Sequence, residues 1–237
     1  MTQGEPAGPG GFFAVATAPV PGGAHRPLSR LYAGEDAPLT ARVDTVAQRL
    51  GTPERRVAAS VAQLGLASRL WSLALGPAAL TGTFPDPRPE LLCWDPGAAA
   101  PDDLRLDADR RLPGTADRIR EAVLHGHLVP LVAAVRRDTR VSERLLWGNA
   151  GSALAGAAGQ LTAWARTHGR PDAAARAGAL AAGLLDDPLL RGTSAARGPG
   201  FRRRTCCLYY RVPGGGLCGD CALDHVPRGG RGAAGSA

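Results

Sequence analysis

The chain has 237 residues, 44% of them hydrophobic, with 32 Gly, 20 Pro, five Cys and a net charge of +7. That length buries a full core without disulfide staples, and the Gly and Pro content predicts long loops. The charge does not single out nucleic acid as a partner. All 28 basic residues are Arg, and Ile119 and Asn149 are the only Ile and Asn, a bias that a GC-rich genome explains and that leaves the Arg excess as solvated surface.

The opening "MTQGEPAGPGG" lacks the basic start of a secretory signal. Residues 1–11 and 228–237 read as Gly/Pro/Ala-rich disordered tails. A first helix is expected from Pro38 to Leu50, with Leu39, Val43, Val46, Ala47 and Leu50 on one face and Gly51 as its stop. A second is expected to start with Thr52 as N-cap and Pro53 at the first helical position, carrying Val57, Val61, Leu64, Leu70 and Leu73. Its apolar run "LASRLWSLALGPAAL" is interrupted by Arg69, so no membrane span is expected and the protein reads as cytoplasmic.

Residues 81–114 are rich in turn formers, with two candidate strands, 90–94 and 104–108, that pair as a hairpin. Cys93 on the first reads as a small buried hydrophobe. Three helices follow. One starts from Thr115 as N-cap and breaks at Pro130, one starts at Ser142-Glu143, and one has Pro171 in its first turn. The small residues of "AGSALAGAAG" (150–159) suit close helix packing, although codon bias supplies Ala and Gly equally well. The expected fold class is mainly α with minor β. Residues 1–114 form an N-terminal helical region with a short hairpin, 115–200 a second helical region, 201–227 a loop-rich cap and 228–237 the tail.

That cap holds four of the five cysteines: Cys206 and Cys207, then Cys218 and Cys221. In a reducing compartment such a cluster reads as metal ligands rather than disulfides. Four thiolates hold either zinc or an iron–sulfur cluster. Adjacent cysteines send their side chains apart, which fits two zinc knuckles poorly and a larger cluster well. The Gly-rich "PGGGLCGD" also brings amide donors toward sulfur. Chemistry thus favours iron–sulfur and leaves zinc open. No phosphate-binding loop, dinucleotide fingerprint or nucleophile elbow occurs, so electrons are expected from a partner.

The spacing CC-x10-C-x2-C in "CCLYYRVPGGGLCGDC" resembles the C-terminal motif of the FhuF-like ferric siderophore reductases, as do "HLVPL" (127–131) and "RLLWGNAGSAL" (144–154). The resemblance spans about 115–225. It implies an atypical [2Fe–2S] cluster bound by Cys206, Cys207, Cys218 and Cys221, which passes one electron to iron held by a hydroxamate-type siderophore. Ferrous iron is then released in the cytoplasm. On this reading 115–200 is the substrate region and 201–227 the cluster segment. The implied partners are the ferric siderophore and an electron donor such as a ferredoxin or a ferredoxin/flavin reductase, with no nucleic acid. Competing classes are a zinc-knuckle binding module and an iron–sulfur redox sensor.

Arg202, Arg203 and Arg204 suit docking of an acidic donor or peripheral contact with the inner membrane surface, or are simply solvated. Arg204 and Arg211 would raise the cluster potential. Tyr209 and Tyr210 either shield the cluster or pack its loop. His125 and His127 would line a substrate pocket without binding metal. Trp147 and Asn149 shape the cleft or cap a helix bend, and Asp220 and His225 tune the cluster.

Overall fold

The apolar spacing beyond residue 54 is sustained for 27 residues and builds the axis of the molecule. In the computed structural model, residues 8–18, 22–106, 110–195 and 200–227 are described. The expected 228–237 tail lies outside them, as do residues 1–7 and the end of the second candidate strand. The helices are α1 (Leu28–Tyr32), α2 (Ala37–Leu50), α3 (Arg55–Thr81), α4 (Ala116–Ile119), α5 (Val129–Asp138), α6 (Glu143–Thr167) and α7 (Pro171–Leu185). A π-helical segment, Arg120–Leu128, joins α4 to α5. The strands are β1 (Arg26–Pro27), β2 (Thr83–Pro85), β3 (Leu92–Trp94), β4 (Leu104–Leu106) and β5 (Arg111–Pro113).

The fold is mainly helical with minor β, as expected. Helix α3 is buried over most of its surface, from Val57 and Ala59 through Leu66, Leu70 and Trp71 to Ala79, with the strip of Val61, Leu64, Gly65 and Ser68 half-buried, the pattern of a core helix rather than a surface one. Helices α2, α6 and α7 pack around it, and one hydrophobic core runs through both halves of the chain. Trp71 fixes the α3–α6 contact by donating its indole N–H to the Ala150 carbonyl at 3.0 Å.

Two expected helix boundaries are corrected. Thr52 is not the N-cap of α3, which begins at Arg55. The Thr52 N–H instead bonds the Ala47 carbonyl at 3.1 Å, closing α2 behind Gly51. Pro130 breaks nothing. It sits in the first turn of α5, where the preceding π-helical turns have already shifted the hydrogen-bond register that its missing N–H would disrupt.

Arg69, expected only to interrupt an apolar run, is 1% exposed inside α3. Its guanidinium donates to Asp103 Oδ1 at 2.8 Å, to the carbonyls of Ala14 at 2.6 Å and Pro101 at 3.2 Å, and to that of Phe12. A buried charge is tolerable only when paired and hydrogen-bonded this fully, and here it pins two loops to the central helix. Among the described residues no helix is long and apolar enough to cross a membrane.

The expected hairpin forms, with Leu92 opposite Leu106, Cys93 opposite Arg105 and Trp94 opposite Leu104. Cys93 is buried there. Strand β1 extends this sheet, and β2 pairs with β5. These pieces of two or three residues, each containing Pro or bounded by it, are too short to show an alternating pattern.

His127 lies on the π-helical segment and is fully buried. Tyr32 Oη lies 2.9 Å from its Nδ1 and the Pro87 carbonyl 2.5 Å from its Nε2, so both nitrogens are occupied and no face is open to a substrate. Burial lowers its pKa to about 4. The unfolded chain, titrating near 6.5, binds more protons between those values, so stability falls as pH drops from about 6.5 toward 4. At about 1.4 kcal/mol per pH unit the loss is roughly 3 kcal/mol. Urea unfolding of wild type and His127→Gln near neutral and near pH 4.5 tests this. Wild type is expected to lose more stability than the variant, and equal losses would exclude His127 as the source.

Candidate metal centre

Beyond α7 the chain turns back onto α6 and lays its C-terminal segment across it. Ser194 and Arg203 form an antiparallel bridge. The Ala195 N–H bonds the Arg202 carbonyl at 2.7 Å, and the Arg204 N–H bonds that of Thr193 at 2.8 Å. Helix α6 accepts this layer because Gly148 and Gly151, three residues apart on one face, carry no Cβ. A methyl group at 148 would collide with Thr205 Oγ1. One at 151 would collide with Thr193 Oγ1 and come within 3.3 Å of Phe201 Cζ. Part of the small-residue run thus serves the cysteine segment rather than another helix.

A buried polar network fastens the layer from beneath. Asn149 Nδ2 lies 3.0 Å from the Ser60 carbonyl, 3.1 Å from Ser60 Oγ and 3.0 Å from Gln63 Oε1. Ser60 Oγ in turn donates to the Cys207 carbonyl at 2.8 Å. Asn149 Oδ1 accepts a hydrogen bond from the Arg203 guanidinium. Asn149 is therefore a buried junction and leaves no group for a substrate cleft. Ser60, Gln63, Gly148 and Thr205 were not expected from the sequence. The nearest signal in the sequence is the small-residue run 150–159, which read as suited to helix packing.

All five cysteines are free thiols. Cys207 is 2% exposed, while Cys206, Cys218 and Cys221 are half-buried. The sulfurs of Cys207 and Cys218 lie 3.5 Å apart, so the two halves of the motif meet. The Cys221 N–H bonds the Cys218 carbonyl at 3.1 Å and closes the Cys-Gly-Asp-Cys turn. Amides two residues further on point back at sulfur, Leu208 N–H to Cys206 Sγ at 3.3 Å and Leu223 N–H to Cys221 Sγ at 3.4 Å. Leu208 adopts φ 70°, a left-handed backbone that a branched side chain takes only under constraint. It directs the chain into the Tyr209–Arg211 turn.

Negative charge concentrates on Cys207. Hydrogen bonds from Cys206 and then Cys218 hold its thiol far below the ordinary value, with Arg203 adding to the pull. The same contacts, with burial, push Cys206 and Cys218 up. Among the described residues no group of three or more His, Cys, Asp or Glu is drawn together around a single ion. Four soft thiols in two pairs, with amide donors on two of the sulfurs, have the chemistry that a thiolate-bound iron–sulfur cluster requires.

The structure scatters the other sequence candidates. Arg202 is exposed and binds the Cys221 carbonyl at 3.2 Å and Asp224 at 2.5 Å. Exposed Arg204 binds the Ser194 carbonyl at 2.8 Å. Arg211 reaches away to Glu54 at 2.7 Å, tying the segment to the start of α3. Tyr209 is exposed and Tyr210 lies beneath the Arg211 guanidinium. Of Arg202, Arg203, Arg204 and Arg211, only Arg203 is buried. The Asp220 carbonyl accepts the Arg203 N–H at 2.9 Å, and His225 is exposed. Trp147 lines a groove of about 460 Å³ together with Glu143, Arg144, Leu189, Arg191 and Thr205. His125 lies elsewhere, 3.9 Å from Asp187.

The site is thus two pairs of thiols on a loop-rich cap over a helical scaffold. Residues 86–195 match the family described as "Ferric iron reductase FhuF-like transporter", and residues 203–223 match "FhuF 2Fe-2S C-terminal domain". The chain belongs to this family of ferric iron reductases, and its cofactor is a [2Fe–2S] cluster. No curated protein matches the chain.

Gly148→Ala is expected to lift the 203–207 segment and cost about 1–3 kcal/mol, the usual range for overpacking, with a matching loss of iron per chain. Adding Thr205→Ala removes the colliding oxygen and is expected to restore both. Denaturant midpoints and iron content of the three proteins check this, and undiminished loading in Gly148→Ala would show that the close approach is dispensable.

Proposed function

We propose that this chain reduces ferric iron held in a hydroxamate-type siderophore, with Cys206, Cys207, Cys218 and Cys221 as the ligands of its [2Fe–2S] cluster. The observation that carries the reading is the meeting of the two cysteine pairs, Cys207 against Cys218, inside the part of the chain that matches the family's 2Fe–2S domain. Held by Cys206, Cys207, Cys218 and Cys221, the cluster would supply one-electron chemistry between a protein donor of the ferredoxin or ferredoxin/flavin reductase class and Fe(III), which becomes Fe(II). Hydroxamate oxygens are hard donors that hold Fe(III) far better than Fe(II), so the reduced metal leaves its chelator in the cytoplasm.

The chain contributes position and access. Cys207 is anchored to α3 through Ser60, while the three half-buried cysteines leave an edge near the surface. The groove lined by Arg144, Trp147, Arg191 and Thr205 begins one residue from Cys206, has the volume of a small-molecule site and receives the chelate. Exposed Tyr209, Leu217 and Val226 and the exposed cations Arg202 and Arg204 all belong to residues 200–227 and give the donor apolar surface with positive charge.

Anaerobic reduction with ferrous-iron trapping, run across a panel of ferric siderophores, tests the reading. Wild type is expected to release Fe(II) from hydroxamate complexes. Cys218→Ser is expected to lose the visible cluster absorption and the activity together. The double change Arg144→Ala and Arg191→Ala is expected to keep the spectrum and raise KM. A colourless protein carrying one zinc would sink the ligand assignment, and a reducible cluster that never reduces a ferric chelate would sink the substrate.

A further inference from the structure

We infer that Arg203 is the internal counter-ion of the cluster and raises its reduction potential, an inference that rests on the four cysteines being the ligands. Two arginines are buried to 1% exposure, and they differ in one respect. Arg69 is paired with a carboxylate and ringed by carbonyls. Arg203 makes one side-chain hydrogen bond, to the neutral carboxamide of Asn149. Among the described residues its Nε and Nη1 have no partner, and no carboxylate pairs with it. A guanidinium always carries its proton, so it cannot escape burial by becoming neutral. An unpaired cation in such a place requires an anion facing it.

The position of Arg203 names that anion. Its backbone N–H bonds the Asp220 carbonyl inside the Cys218–Cys221 turn. Its guanidinium bonds Asn149, which bonds Ser60, which bonds the Cys207 carbonyl. The residue is thus tied to both halves of the cysteine motif. The nearby carboxylate of Asp224 is already taken by Arg202. What remains is the thiolate charge of the cluster itself. A thiolate-ligated cluster gains one further negative charge on reduction, so a cation fixed beside it in a low-dielectric site favours the reduced form. Arg202 and Arg204, exposed to water and salt, are screened and contribute far less. Arg203 acts through the cluster and is a positioning residue.

Spectroelectrochemical titration of cluster-loaded wild type, Arg203→Lys, Arg203→Gln and Arg203→Met, with iron counted per chain, tests the inference. The neutral variants are expected to load the cluster and shift its midpoint downward by at least a tenfold change in the one-electron equilibrium, which is 59 mV. Arg203→Lys, which keeps the charge, is expected to stay within a third of that shift. A neutral variant with a wild-type midpoint would overturn the inference. So would an Arg203→Lys protein whose midpoint falls as far as a neutral variant's, a result readable even where the neutral proteins fail to fold. Failure of the underlying ligand assignment shows differently, as wild type that binds no iron or as Cys218→Ser that keeps its spectrum.

Discussion

The carboxamide of Asn149 is the joint on which the candidate centre depends. It is fully buried in α6, its nitrogen faces Ser60 and Gln63 of α3, and its oxygen receives Arg203 from the C-terminal segment. Residues 200–227 contain a single short helical turn among their described elements and little apolar mass, so ordering them costs conformational entropy that they cannot recover by packing alone. A buried hydrogen-bonded network supplies rigidity where hydrophobic burial is thin, and here it joins α3, α6 and the C-terminal segment at one residue. Aspartate in place of Asn149 would lose the amide donors and set a carboxylate against carbonyl oxygens, so the amide is the group this joint requires.

Because the joint is built on two packed helices, the segment has one fixed side and one free side. Cys207, on the fixed side, is bonded through its carbonyl to α3 and is the most buried of the four cysteines. The other three are held by turns and by amides of their own segment. Sites mounted on helices are held more accurately than sites on loops, and here a loop-borne ligand set borrows that accuracy at one point. The missing side chains of Gly148 and Gly151 allow it, since the segment could not otherwise lie flat on α6.

The family motif and the helical class were legible in the sequence because they depend on local spacing: four cysteines at fixed intervals, apolar residues every three or four positions. What was not legible depends on partners far away in the chain. Asn149 read as a helix cap or cleft residue because Ser60, its partner, is 89 positions distant. His127 read as a pocket residue for the same reason, with Tyr32 and Pro87 out of view. Composition hid the rest. In a chain whose basic residues are all Arg, the buried Arg69 and Arg203 look no different from the solvated ones. Thr52 and Pro130 carried sound local signals that neighbouring turns overrode, the end of α2 in one case and the π-helical register in the other.

In the proposed reaction the potential of the centre has to lie between two requirements. Four thiolates drive it down, which a reductant of tightly chelated ferric iron needs; a very low value, however, would leave the donor unable to fill it. A buried cation is a means of setting the balance that surface charge cannot provide, because screening in water weakens exposed pairs severalfold relative to buried ones. Arg203 also lies in the same layer as Thr205, which lines the groove, and that groove carries the exposed cations Arg144 and Arg191. Charge is thus graded along this part of the molecule, buried beside the cysteine segment and exposed at the groove. On the readings proposed above, the buried charge acts on the electron and the exposed charges act on the approach of the substrate, so the two properties can be altered independently by different substitutions.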